Sequence, residues 1–143
     1  GSILYQVRLD PYENSLRHAG THLLMTELSD KAVWDALEHG RAFVAFDWIA
    51  DSTGCDFAAE TASQRHEMGS RIKLTDDLRL TGRSPISGHW KLIRNGKLVS
   101  ETTGATLESK LTEPGNYRAE LWLDVAGEEH VWVLSNPIYV QPK

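Results

Sequence analysis

The chain carries one cysteine, Cys55, so no disulfide can close within it. It has no apolar run near the ~20 residues that a membrane span requires, and no segment reads as a signal peptide. Basic charge is also scarce: 15 Lys and Arg against 20 Asp and Glu give a formal net charge of −5, and the cations never form a run. That pattern excludes a general nucleic-acid surface, which needs clustered cations. No membrane or nucleic-acid partner is therefore expected, and both cytoplasm and periplasm suit such a composition. What remains is ordinary for a globular protein: 41% hydrophobic and 24% charged residues over 143 positions. A chain of that size buries roughly 68–70% of its unfolded surface, enough for a core without staples. Gly1-Ser2 ahead of an apolar run reads as a cloning remnant, so the chain is expected to be a piece of a longer protein.

Two regimes follow one another. In residues 3–40 the signals are helical. Asp10-Pro11-Tyr12-Glu13 has the residues of a helix start, with Asp10 as cap, Pro11 in the first turn and Glu13 reaching back. Gly20 and Thr21 should keep that helix short, and Thr21–Met25 is open between a strand and a last helical turn. Ser29 should cap a second helix, with Leu28 and Val33 as a hydrophobic staple. Val33, Trp34 and Leu37 form its apolar stripe. His39 sits where the helix dipole favours it, and Gly40 takes the left-handed position beyond the end.

From residue 41 the period becomes two, and residues 41–143 read as a sandwich domain. Ala42–Ile49 is a strand, Asp51-Ser52-Thr53-Gly54 a turn, and Asp56–Ala59 another strand. Thr61–Gly69 reads as loop and Gly82-Arg83-Ser84 as a turn. His89–Arg94, Asn95-Gly96 and Lys97–Glu101 form a β-hairpin with a type I′ turn. A two-residue loop places Arg94 opposite Lys97, Ile93 opposite Leu98 and Leu92 opposite Val99. Ala105–Leu111, Tyr117–Val125, Val131–Leu134 and Ile138–Val140 complete the strands. On Tyr117–Val125 the residues Ala119, Leu121, Leu123 and Val125 share one face. Short strands at this spacing define a mainly β fold, an immunoglobulin-like antiparallel β-sandwich preceded by one or two short helices. Tyr117, just after Pro114-Gly115, fits a tyrosine corner.

No catalytic pattern stands out. His18 and His22 are four apart, a metal spacing only on an unbroken helix, and Gly20 lies between them. His66-Glu67 falls in the polar loop, and His89 and His130 have no acidic neighbour at a diagnostic spacing. There is no Gly-x-Ser-x-Gly elbow and no phosphate loop. Cys55 lacks a basic neighbour and reads as a structural thiol. Trp90, Trp122 and Trp132 fall on strands. Trp122 shares its face with Arg118, Glu120 and Asp124, which leaves it open as a ligand platform, an interdomain contact or a cross-strand partner. A sugar-binding sandwich would show two exposed coplanar tryptophans, and a small metalloenzyme would bring His18, His22 and a carboxylate together.

Five segments carry a resemblance. Asp10-Pro-Tyr-Glu-Asn-Ser-Leu-Arg17, Gly40-Arg-Ala-Phe-Val-Ala-Phe-Asp47, Leu92-Ile-Arg-Asn-Gly-Lys97, Pro114-Gly-Asn-Tyr-Arg-Ala-Glu120 and Ser135-Asn-Pro-Ile-Tyr-Val140 occur in this order. Together they resemble the C-terminal part of PHP-superfamily metal-dependent hydrolases, in the branch of carbaryl-hydrolase-like and phosphoesterase-like proteins. The resemblance implies a missing N-terminal catalytic barrel that binds divalent metals through His-x-His and Asp-x-His motifs, none of which occurs here. It implies that residues 3–40 are the tail of that catalytic domain and the rest an appended sandwich. No catalytic residue, metal ligand or cofactor is carried over to this chain. Its expected partners are its own N-terminal catalytic domain and, through the surface left bare, a second copy. Tyr12, Arg17, His22 and Trp122 are the expected interdomain contacts.

Overall fold

The computed structural model describes residues 18–143. Its order is β1 (Gly20–Leu23), α1 (Asp30–Glu38), β2 (Ala42–Ala45), β3 (Asp56–Glu60), β4 (Arg65–Glu67), β5 (Arg71–Lys73), β6 (Arg79–Arg94), β7 (Lys97–Lys110), β8 (Gly115–Val125), β9 (Glu128–Ser135) and β10 (Ile138–Gln141). Among the described residues from Gly20 onward the fold is mainly β with one short helix, as the alternating pattern predicts. Every ladder is antiparallel except the one between β10 and β5. The first expected helix, with Tyr12 and Arg17, lies outside the described residues.

Hydrogen bonding is continuous because β6 and β7 pass from one layer to the other. The C-terminal half of β6 joins β8, which leads through β9 and β2 to β1, while its N-terminal half joins β3, which leads to β4. The ladder between β6 and β7 slips between Arg83 and Gly88, where the pair bends between layers. Phe57 and Met68 from one side meet Phe43, Trp90, Leu121 and Val133 from the other in one core. The expected strand Ala105–Leu111 is the far end of β7, which closes at Lys110, and not a separate strand.

Several local expectations hold to the residue. Asn95 and Gly96 have φ of 49° and 80°, as the I′ turn demands. The Tyr117 hydroxyl donates to the Glu113 carbonyl at 2.7 Å, making the corner. Ser29 accepts from the Ala32 N–H at 3.2 Å, and Gly40 closes α1 at φ 65°.

Others are overturned. Beyond Ile93–Leu98 the hairpin register slips, so Leu92 faces Ser100 and Val99 is a bulge, exposed together with Leu98. Gly82-Arg83-Ser84 is not a turn but the interior of β6. A Cβ on Gly82 would come within 3.0 Å of the Trp90 ring, so this glycine makes room for an indole. Arg65–Glu67, expected as loop, pairs with β3 as β4. Thr21–Leu23 is strand, paired with β2, so the sheet reaches back into the segment expected to be a helical prelude. On α1 the staple does not form, since Leu28 is 90% exposed. The helix buries Ala36 and leaves Trp34 at 72% and Leu37 at 47% exposure.

Candidate functional site

The densest set of chemistry-bearing side chains lies where β1 meets the loop from Phe46 to Cys55. The pairing of β1 with β2 sets His22 beside Phe43, and their rings stack at 4.8 Å with planes 5° apart. Phe43 and Ala45 point into the core, so Asp47 is next in that alternation. A carboxylate cannot continue an apolar face, and the strand ends at Ala45 instead of Ile49. The chain then turns, with Ile49 N–H donating to the Phe46 carbonyl and Cys55 N–H to the Ser52 carbonyl, both at 2.9 Å. Trp132 clamps the loop from β9: its indole N–H donates to the Ala50 carbonyl, and its carbonyl accepts from the Phe46 N–H, both at 2.8 Å.

Within this loop Asp47 Oδ2 lies 2.7 Å from His22 Nε2, and Asp47 Oδ1 accepts from the Ser52 N–H at 3.1 Å. Ser52 Oγ lies 3.4 Å from the same His22 Nε2. Serine, histidine and aspartate are thus together, but not as a nucleophilic relay. In a relay the acid holds one ring nitrogen while the other takes the serine proton. Here both groups share Nε2, and Ser52 is 0% exposed. The arrangement is a latch between β1 and the loop.

Electrostatics agree with a latch. Burial pushes the Asp47 carboxyl up, yet its hydrogen bonds from Ser52 and His22 outweigh this and hold it below the ordinary carboxylate value. A depressed folded-state value means stabilisation that is complete above the unfolded pKa of ~3.9 and lost as pH falls through the folded one. Asp47→Asn is therefore expected to melt below wild type at neutral pH, with the gap closing below pH ~4. Melting curves of both proteins between about pH 3 and 7 check this, and a gap that stays constant down to pH 3 rejects the latch.

Trp48, at the outer side of this loop, is 53% exposed. His18 meets its ring edge-on at 6.2 Å and His130 at 6.4 Å. His18 and His22 share no helix face, because the chain is extended from Gly20. Among the described residues no three His, Cys, Asp or Glu converge to hold a metal. Cys55 is buried, and burial pushes its thiol up to about 11, against a weaker pull from Ser84, so the thiolate is not the resting form at neutral pH.

The other expected sites resolve differently. Trp90 and Trp132 are core residues. Trp122 is half-buried on the outer face of β8, with Lys91 4.1 Å over its ring and its indole N–H donating to Glu120 at 3.0 Å. Lys91 belongs to the neighbouring strand β6, so this contact is a cross-strand one. His89 does have acidic partners: Glu129 at 2.8 Å and Glu101 at 3.5 Å, brought from β9 and β7 by pairings no local spacing announces. An open groove of about 720 Å³ runs between Leu23–Glu27 and α1. It is lined by Leu24, Met25, Lys31 and the Asp35–Arg41 ion pair, far poorer in reactive groups than the His22 loop.

Sequence reasoning missed Trp48, because a tryptophan after an aspartate in an alternating run looks like more strand. The parity of Asp47 was the available signal. Comparison of the chain with known protein families, curated proteins and solved structures finds no match.

Proposed function

We propose that this chain is a non-catalytic accessory domain of a PHP-type metal-dependent hydrolase, covering or shaping the substrate entrance of a catalytic part that carries the divalent metals. The order of the five resembling segments supports the family. One structural observation carries the role. Trp48 is half exposed on a loop latched by His22 and Asp47, and it touches His18, the point where the chain arrives from its N-terminal residues. The described chain thus begins beside an exposed apolar ring on a latched loop, which suits a docking contact for a unit attached ahead of β1.

The latch geometry fits that role better than catalysis, since Ser52 is fully buried and the acid and hydroxyl both meet the same His22 ring nitrogen, leaving no relay through the ring. The test compares metal content and phosphodiesterase and ester hydrolysis of this chain with those of the same sequence joined to its catalytic part. Metal and turnover are expected only in the joined protein, where Trp48→Ala should weaken turnover or domain association roughly tenfold, as loss of an aromatic anchor does. Stoichiometric metal or hydrolysis in this chain alone overturns the proposal.

A further inference from the structure

The helix α1 is apolar over more of its surface than the fold covers. Ala36 is fully buried, whereas Trp34 and Leu37, one turn apart on the other side, are exposed. Two oppositely charged residues border this stripe. Lys31 and Glu38 are both exposed, and neither belongs to an ion pair among the described residues. They are seven positions apart, which is two helical turns with a drift of only ~20°. Both therefore lie on the same side of the stripe, one toward each end.

We propose that this face binds a second copy of the chain, the two α1 helices packing antiparallel about a two-fold axis between Trp34 and Asp35. Such an axis lays Trp34 and Leu37 of each copy over those of the other. It also sets Lys31 of each copy opposite Glu38 of the second copy, so one contact yields two ion pairs. A parallel arrangement would place the Lys31 and Glu38 flanks of the two copies on opposite sides of the seam, where these charges cannot pair, and would align the helix dipoles unfavourably. The charge order along α1 thus selects the antiparallel form. Nine residues make a helix only ~13 Å long. Its contact falls short of the ~800 Å² per partner of a standard interface, so the dimer is weak and depends on concentration. The surface involved is separate from Trp48, and the assembly stands or falls independently of the accessory role.

Sedimentation equilibrium of the 143-residue chain, from about 10 μM to 1 mM, reads the result directly. A reversible monomer–dimer equilibrium with a dissociation constant of order 100 μM is expected. Lys31→Glu and Glu38→Lys should each weaken it roughly tenfold, since each replaces two attractive contacts by two repulsive ones. The double variant K31E/E38K exchanges the charges and should return to within about threefold of wild type. Trp34→Ser should abolish association, with circular dichroism verifying that this exposed substitution leaves the fold intact. A chain that stays monomeric to ~1 mM overturns the proposal, and the bare face then belongs to a different partner. A double variant as weak as either single variant overturns it as well, because the charges then do not meet across the interface.

Discussion

Replacing Trp132 with alanine is expected to lower the free energy of unfolding by ~3–5 kcal/mol. Trp132 is the largest side chain buried without residual exposure, and it sits in the core cluster with Phe43, Phe57 and Leu121. Truncating it removes its burial and leaves a void that neighbours on two sheet layers cannot fill by small shifts. The indole also donates to the Ala50 carbonyl, so the loss reaches the loop that carries Asp47, Trp48 and Ser52. Trp132→Phe separates the two contributions. It keeps most of the apolar volume and removes the donor, and is expected to cost ~1–2 kcal/mol. Urea denaturation of wild type and both variants gives the comparison. If Trp132→Ala costs less than ~1 kcal/mol, the residue is not the clamp described here.

That clamp shows which parts of the molecule can be read from the chain. Asn95-Gly96, Ser29, Gly40 and Tyr117 act through partners a few positions away, and each occupies the place its chemistry predicts. Patterns with a local cause are legible because steric and hydrogen-bond preferences are set within one turn. The latch has no such cause. Asp47 is 25 positions from His22, and Ser52 is 30. They meet because β1 pairs with β2, a pairing that needs Thr21–Leu23 to be extended, and that segment is ambiguous on its own. The helix α1 teaches a related lesson. Its stripe of Val33, Trp34 and Leu37 is correctly amphipathic, but the side facing the core was decided by the small Ala36. Periodicity identifies a helix face; it does not say whether this chain or another molecule covers it. Gly82 marks a third limit. A glycine read as a turn can equally be a gap for a ring from the same strand after it bends.

Gly69→Ala is expected to cost more than ~3 kcal/mol, the second large effect. Gly69 has φ +87°, and a Cβ there would lie 1.8 Å from the His39 carbonyl oxygen and 2.9 Å from the Gly40 carbonyl carbon. The turn between β4 and β5 thus presses its backbone directly against the C-terminal end of α1. Its N–H donates to the Pro137 carbonyl at 2.9 Å, and Asn136 donates to the Gly40 carbonyl at 3.1 Å. Helix end, turn and the entry to β10 therefore meet at one backbone crossing that admits no side chain. Strain at positive φ alone accounts for ~1–2 kcal/mol. Gly127→Ala supplies that control, since Gly127 also has φ +87° but nothing lies within 4 Å of its added Cβ. The difference between the two variants isolates the close approach, because no packing contact changes at Gly127. Should thermal or urea unfolding give the two substitutions equal costs, backbone contact at Gly69 is not what seats α1 on the sandwich. A larger cost at Gly69, accompanied by loss of helical signal before global unfolding, would show that the helix and its exposed Trp34 and Leu37 are presented by this crossing.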